Sequence, residues 1–278
     1  MKCILTSYLD LYDKDESGNK IPKNFGNQNQ ILDNIKKYVK KYDNFLFVAS
    51  DEFNNEATDI YANVTFKSFD LTLPFKNYYI LDSRTENKID ELLENADLIF
   101  LCGGHLPTQN AFFNKINLKD KIKNVKAFII GGSAGAMNMA ENVYCIPEVE
   151  GEALDPNFNR NLKGLALTNI NVLPHYDEFR DFILDGKKYI EDIVLPDTYD
   201  RIVYGINNGS YILIDDKNYL YGEAYILKNG TIEKINEENQ VKILDLKEVK
   251  NDRRLYMQNS INWRNGTKLE LSTRNTSW

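Results

Sequence analysis

A serine stands among small residues in the segment FIIGGSAGAMNMAE, which spans residues 128–141. Gly131, Ser133 and Gly135 fit the pattern G-x-S-x-G, in which a serine sits on a strained turn between a strand and a helix. The residues two positions away must be small because strand and helix pack closely there, and the first helical amides point at whatever bonds to the serine oxygen. An apolar run precedes Ser133 and helix formers follow it, so the segment predicts a nucleophile.

A serine nucleophile needs a base, and the chain contains two histidines, His105 and His175. His175 follows the apolar run 169–173 in NINVLPHYDEF, which places it at a predicted strand end and favours it as the general base. His105 follows a Gly-Gly pair and is expected to shape the pocket wall.

The Gly-Gly pair of the segment LCGGH also ends an apolar run. Glycines at such a position let backbone N–H groups approach a bound carbonyl closely, which an oxyanion hole requires. The second donor is expected to be the amide of Ala134, the residue after the nucleophile.

These residues need a scaffold, and up to about residue 200 apolar runs alternate with helical patterns. The runs are nearly continuous, which indicates strands buried on both faces of a mostly parallel sheet. The alternation predicts a doubly wound α/β fold, with helices on both faces of the sheet and ligands at the carboxyl ends of the strands. The segments TSYLD, CGGH, GGSAG and LPHYDE are expected to meet there. The predicted strands are 2–7, 44–50, 77–82, 97–104 and 125–132, and the predicted helices are 30–42, 56–69, 86–96 and 110–116.

After about residue 200 the helical patterns cease, and the segments RIVYGIN, SYILIDD, NYLYGEAYILKNG and TIEKI alternate with turn signals. They predict an antiparallel meander at one edge of the sheet. No repeat or linker divides the chain. We therefore predict one domain at 1–240, followed by a polar extension without clear patterning at 241–278.

Composition excludes several functions. The net charge of −7 and the mixing of lysines with acids argue against nucleic acid as a partner. No apolar run approaches the length of a membrane span and the N-terminus does not fit a signal peptide, so the sequence predicts a cytoplasmic protein without a membrane partner. Three dispersed cysteines and two histidines argue against a metal cluster, and no cofactor is expected. A homodimer is left open.

Four segments together, LIFLCGGHLPTQ, IIGGSAGA, LPHYDEF and YGINNGSYILI, resemble the serine peptidase family of dipeptidase E (aspartyl dipeptidase) and cyanophycinase. The resemblance covers roughly residues 1–230 and implies a class I glutamine amidotransferase-like fold. It implies a peptidase that hydrolyses short peptides through an acyl-enzyme on Ser133. It also implies His175 as the general base and Gly104 with Ala134 as the oxyanion donors.

The third catalytic residue departs from this family, whose glutamate is matched here by Asn208. An asparagine can accept the imidazole N–H and orient the ring, but it cannot stabilise the imidazolium by charge. We predict Asn208 as the third residue. Asp177, Glu148 and Glu150 remain alternatives for the acid.

Asn208 also motivates a second hypothesis, a catalytically weak or inactive protein that keeps the pocket for ligand binding. An esterase of the α/β-hydrolase type ranks third, because that fold places its histidine late in the chain and no histidine follows His175. A glutamine amidotransferase is disfavoured because a serine replaces the cysteine nucleophile. Arg160, Arg180 and Arg201 are candidates either for substrate contacts or for surface ion pairs.

Overall fold

The structure is a computed structural model in which residues 2–245 are described. The strands of these residues are β1 (Cys3–Thr6), β2 (Tyr12–Lys14), β3 (Lys20–Pro22), β4 (Asn44–Val48), β5 (Asn77–Leu81), β6 (Leu98–Leu101), β7 (Phe128–Gly132), β8 (Asn142–Tyr144), β9 (Asn161–Lys163), β10 (Asn171–Leu173), β11 (Ile183–Leu184), β12 (Lys187–Lys188), β13 (Val203–Ile206), β14 (Tyr211–Ile214), β15 (Asn218–Tyr221), β16 (Ala224–Lys228), β17 (Thr231–Asn236) and β18 (Val241–Leu244).

The α-helices of the same residues are α1 (Ile31–Tyr38), α2 (Asn55–Thr72), α3 (Ile89–Asn95), α4 (Leu106–Lys115), α5 (Leu118–Ile122), α6 (Ala134–Asn138), α7 (Tyr176–Phe179) and α8 (Leu195–Asp197). A π-helix, Tyr189–Val194, leads into α8. The helix predicted at 110–116 begins earlier, at Leu106, because Pro107 occupies the first turn, where its missing N–H costs nothing.

A large sheet of eight strands has the order β18-β15-β14-β1-β7-β6-β4-β5. The five strands from β1 to β5 in this order are parallel, and β14, β15 and β18 continue the sheet antiparallel on the β1 side. The predicted α/β fold with a mostly parallel sheet and antiparallel strands near the C-terminal end is confirmed.

Helices cover both faces of this sheet. On one face, α1 and α2 pack Ile35 and Phe69 against Phe45 and Ile130. On the other face, residues of α3 to α6 and the second sheet form a separate cluster around Ile129. Because both faces are covered, the central strands β1, β6 and β7 are wholly buried, which explains their continuous apolar runs.

The strands after about residue 200 differ in detail from the predicted single meander. They are divided between the large sheet and a second sheet of order β10-β13-β16-β17. The turn after β13 carries the chain into the large sheet, and the turn after β15 carries it back. Gly209 and Gly222 serve these turns at φ +79° and +82°, where a Cβ would be strained. The strand before His175, β10, therefore belongs to the second sheet.

The structure also describes the chain just beyond the predicted domain boundary at residue 240. β18 falls within the segment assigned to the extension and pairs with β15 at the edge of the large sheet, so the sheet continues to Leu244. The rest of the predicted extension, 246–278, lies outside the described residues. No helix within residues 2–245 combines the length and the apolar character that crossing a membrane requires.

Candidate active site

The carboxyl ends of three neighbouring strands, β1, β7 and β6, place their following residues side by side. Ser133 follows β7 directly, the Gly103-Gly104 pair follows β6, and Ser7 follows β1. His175 approaches from the second sheet, beyond the end of β10. The predicted meeting of strand ends is present, although one strand end comes from another sheet.

Ser133 has the backbone geometry expected of a strained turn, with φ 50° and ψ −118°. A serine in this region is uncommon, and the surrounding structure must hold it there. Its N–H donates to Thr6 O at 3.0 Å, and its carbonyl accepts from Met137 N at 3.1 Å. The strained residue is thus fastened to β1 on one side and to α6 on the other.

The two glycines of the pattern have no room for a side chain. A Cβ on Gly131 would lie 2.8 Å from Ala136 N, and one on Gly135 would lie 2.2 Å from Leu101 O. A Cβ on Gly132, by contrast, would make an ordinary contact at 3.4 Å. The strand–turn–helix unit therefore requires glycine at the two positions that flank the serine by two residues.

His175 is within hydrogen-bonding distance of the serine, with Nε2 3.1 Å from Ser133 Oγ. Its backbone is in the left-handed region, at φ 55° and ψ 33°, at the start of the short helix α7. The His175 N–H donates to Ser7 Oγ at 2.6 Å, which holds this strained backbone in place. The pair can therefore exchange the proton that activates a serine.

Asn208 faces the other nitrogen of the ring. Its Oδ1 lies 2.8 Å from His175 Nδ1 and 3.1 Å from Ser7 Oγ. Its Nδ2 donates to Glu178 Oε1 at 2.5 Å. Its backbone N–H donates to Asp177 Oδ1 at 3.0 Å. The geometry thus brings Ser133, His175 and Asn208 together in the order of a catalytic triad.

The alternative acids lie elsewhere or act differently. Asp177 holds the Asn208 backbone rather than the imidazole, and Glu150 is exposed. Glu148 is in the segment after β8 and accepts a hydrogen bond from the Leu106 N–H at the start of α4. Burial raises the pKa of its carboxyl group to about 7. Within residues 2–245, no hydrogen bond or ion pair is found between His175 and Glu148 or Glu150.

The loop after β6 lies against Ser133. A Cβ on Gly103 would lie 3.2 Å from Ser133 Cβ. Gly104 has φ +145°, and a Cβ there would come within 2.5 Å of Ser50 Oγ, so only glycine fits. Ala134 is the first residue of α6, and its N–H has no carbonyl of its own helix to bond. These positions are compatible with the predicted oxyanion donors Gly104 and Ala134.

His105 lines the cleft beside this loop. Its Nδ1 lies 2.7 Å from Thr108 Oγ1 and its Nε2 lies 3.3 Å from Glu152 Oε1. Both ring nitrogens are therefore engaged by neighbours other than Ser133, which agrees with a residue of the pocket wall.

The three candidate arginines lie outside the residues that line the cleft. Arg160 lies 3.4 Å from Asp197, and Arg180 lies 3.6 Å from Asp181. Arg201 stacks over the Tyr144 ring at 4.4 Å. In this structure they contact protein groups rather than the space beside Ser133.

A cleft of about 780 Å³ opens beside Ser133 and extends between the large sheet and α2. Its floor includes Phe47 and Phe100, which are buried, and its walls include the tyrosines Tyr8 and Tyr61. Burial is the largest cause that raises the pKa of Tyr8 to about 12, so its hydroxyl keeps its proton at neutral pH. The cleft is large enough for a short peptide.

Sequence reasoning missed most of this cleft, and although it expected the segment TSYLD at this edge it assigned no role to Ser7. The only signal for Ser7 was a polar residue directly after a buried strand, because its partners His175 and Asn208 are remote in the chain. Cys102 also lines the cleft, but burial raises the pKa of its thiol to about 12, which keeps it protonated and a poor nucleophile.

No group of three or more His, Cys, Asp or Glu side chains that could hold a metal ion occurs among residues 2–245. The chemistry that the described residues offer is that of a serine, its histidine and a nearby pair of amides. This arrangement on an α/β sheet defines a hydrolase of the serine type.

Comparisons with known proteins assign this chain to a family. Residues 17–221 match peptidase family S51. Because the match covers most of the chain, the protein belongs to this family and is a serine peptidase. The resemblance found in the sequence is thereby confirmed.

Solved structures show the same fold at low identity. A peptidase from an acI-B1 Actinobacterium superposes with a TM-score of 0.55 at 16% identity, covering 87% of this chain and 96% of that chain. A candidate peptidase E protein from Listeria monocytogenes EGD-e superposes with a TM-score of 0.53 at 18% identity, covering 84% of this chain and 98% of that chain. No match was found among curated proteins.

Proposed function

We propose that this serine peptidase hydrolyses short peptides through an acyl-enzyme on Ser133, in the manner of dipeptidase E. The observation that carries the proposal is the distance of 3.1 Å between Ser133 Oγ and His175 Nε2. His175 Nε2 takes the hydroxyl proton as Ser133 Oγ attacks the scissile carbonyl carbon, and returns it to the leaving amine. Water then repeats the sequence on the ester, which restores the free serine.

The amides of Gly104 and Ala134 are the proposed donors to the oxyanion that forms during attack. Both flank the serine, one on the loop after β6 and one at the first residue of α6. Fixed donors of this kind stabilise the developing charge without rearrangement.

The chemistry of the cleft supports a preference for peptides with an apolar side chain next to the scissile bond. The floor is aromatic, and three carboxylates line the cleft, those of Asp13, Asp51 and Glu178, against the single lysine Lys14. An acidic side chain bound there would meet more carboxylates than cations, which disfavours it.

The test is cleavage of a mixed library of dipeptides and tripeptides, followed by mass spectrometry, with wild type and Ser133→Ala in parallel. We expect wild type to consume peptides, apolar ones before acidic ones, and Ser133→Ala to be at least about a thousandfold slower, because the nucleophile is lost. Equal cleavage by both proteins would refute the role of Ser133.

The uncharged Asn208 favours one second candidate, a catalytically inactive protein that keeps the cleft for peptide binding. Calorimetric binding of library peptides with no turnover by wild type would support it over the peptidase.

We also propose a cellular location for this protein. Cys3, Cys102 and Cys145 are free and buried, which fits a reducing compartment such as the cytoplasm.

Sedimentation analysis of the full chain would decide between a monomer and a homodimer.

A further inference from the structure

A carboxylate, that of Glu178, lies next to Asn208, the residue that matches the glutamate of the family. Glu178 Oε1 is 2.5 Å from Asn208 Nδ2 and 3.9 Å from His175 Nδ1. Glu178 belongs to α7, which begins directly after His175, so the two are held on one short element. The negative charge absent from Asn208 is therefore present one hydrogen bond away.

The carboxylate also fixes which way the Asn208 amide points. An ionised carboxylate only accepts hydrogen bonds, so the atom of Asn208 that faces Glu178 must be the donor Nδ2. The carbonyl Oδ1 then faces His175, and the ring nitrogen opposite it, Nδ1, must carry the proton. That leaves Nε2 of His175 without a proton and able to accept from Ser133.

Ser7 supports the same orientation from the other side. Its Oγ accepts from the His175 backbone N–H at 2.6 Å, which leaves its hydroxyl proton free to donate to Asn208 Oδ1 at 3.1 Å. A reversed amide would set its carbonyl oxygen against the carboxylate of Glu178, with no proton between the two acceptors. The carboxylate thus selects one orientation of the amide, and Ser7 is compatible with it.

We propose that Glu178 is the positioning residue of this site: through Asn208 it sets the productive tautomer of His175, and its charge stabilises the imidazolium that forms when Ser133 loses its proton. The proposal rests on the proposed function for its kinetic consequence, but the tautomer can be observed without turnover. The Glu178 side chain is 65% exposed, so solvent screens its charge and the effect is smaller than that of a buried acid.

The charged groups at the ring are few. Asp177, also on α7, binds the Asn208 backbone, and the turn after β13 contributes the neutral Asn208 itself. The residue after β1, Ser7, contributes a hydroxyl group. The neighbouring Tyr8 lines the same cleft. Glu178 is the carboxylate with an ion-pair contact to His175 within the described part of the chain.

The decisive variant is Glu178→Gln, which keeps the shape and a hydrogen-bonding oxygen but removes the charge and the acceptor-only character. Because the chain has two histidines, the ¹⁵N NMR spectrum of the imidazoles contains two rings, and His105 serves as an internal reference. We expect wild type to carry the proton on Nδ1 of His175, and Glu178→Gln to show a mixture of tautomers.

A kinetic readout of Glu178→Gln separates charge from structure. We expect kcat/KM to fall about tenfold with KM little changed, since the lost interaction is strongest in the transition state.

Two controls complete the experiment. Asp181→Asn removes a charge of the same sign from a side chain that is 88% exposed, and is expected to leave the tautomer and the rate unchanged. The double variant Asn208→Asp with Glu178→Gln keeps every hydrogen bond and moves the charge next to the ring, so it should restore Nδ1 protonation and the rate.

An unchanged tautomer in Glu178→Gln would overturn the proposal, whatever the rate. Absence of hydrolysis in every protein, with the expected change of tautomer, would instead count against the proposed function alone.

Discussion

At the scale of residues, the site depends on backbone conformations that most side chains avoid. Ser133 and His175 both have positive φ, at 50° and 55°, and Gly104 has φ +145°. Such strain persists only where neighbours fix it. Here Thr6 O of β1 and Ser7 Oγ, directly after β1, do so. The serine and the histidine are therefore held in place before a substrate arrives.

The pattern around the nucleophile can be tested by two glycine substitutions. Gly135→Ala is expected to destabilise the fold by about 2–4 kcal/mol, because its Cβ would lie 2.2 Å from the backbone oxygen of Leu101. Gly132→Ala is the matched control and should cost less than about 1 kcal/mol, since its Cβ has ordinary contacts. Urea unfolding of both variants measures this, and equal losses would contradict the packing argument.

At the scale of elements, the loop after β8 is tied to α4 through a carboxyl group. Glu148 accepts from the Leu106 N–H at the start of that helix, while burial, and then Glu152, raise its pKa to about 7. Glu152 in turn accepts from the Glu148 and Val149 N–H groups and contacts His105. A carboxyl group whose pKa is raised to about 7 thus joins this loop to α4.

This carboxyl should make stability depend on pH. Its pKa is higher in the folded protein than in the unfolded chain, so the folded state holds the proton longer and stability falls as the pH rises from about 4.5 to about 7. Glu148→Gln should therefore stabilise the protein by up to about 3 kcal/mol at about pH 8 and have little effect at about pH 4. Glu150→Gln, at an exposed neighbouring position, is the control.

Urea unfolding at the two pH values gives this comparison. The quantity compared is the free energy of unfolding of Glu148→Gln minus that of wild type. If this difference did not increase from the lower to the higher pH, the Glu148 carboxyl would already be ionised in the folded protein at the lower pH.

At the scale of the whole molecule, two sheets share one core. Val172, Val203 and Leu227 of the second sheet belong to the same buried cluster as Ile129 and Leu101 of the large sheet. After residue 200 the chain passes between the sheets three times, after β13, β15 and β17. Because His175 comes from one sheet and Ser133 from the other, their distance depends on this shared core.

We therefore expect the two sheets to unfold together. Amides of β13 and of β7 should show the same free energy of opening in native-state hydrogen exchange, equal to that of global unfolding. If the β13 amides exchanged at a much lower free energy, the second sheet would open independently and carry His175 away from Ser133.

Local patterns in the sequence determined much of this protein. Continuous apolar runs indicated buried parallel strands, and the small residues around Ser133 indicated the strained turn, because both depend on neighbours close in the chain. His175 could be selected since the chain has only two histidines. The tertiary structure alone decided the division of the last strands between two sheets, which depends on where distant segments pack.

The tertiary structure also decided the surroundings of the histidine. Ser7 and Asn208 are separated by 201 positions in the chain, and Glu178 and Asn208 by 30, so no local pattern links them. The sequence identified Asn208 as a neutral residue at an acidic position. Only the folded arrangement showed that Glu178 lies behind it, because hydrogen bonds depend on distance in space and not on distance along the chain.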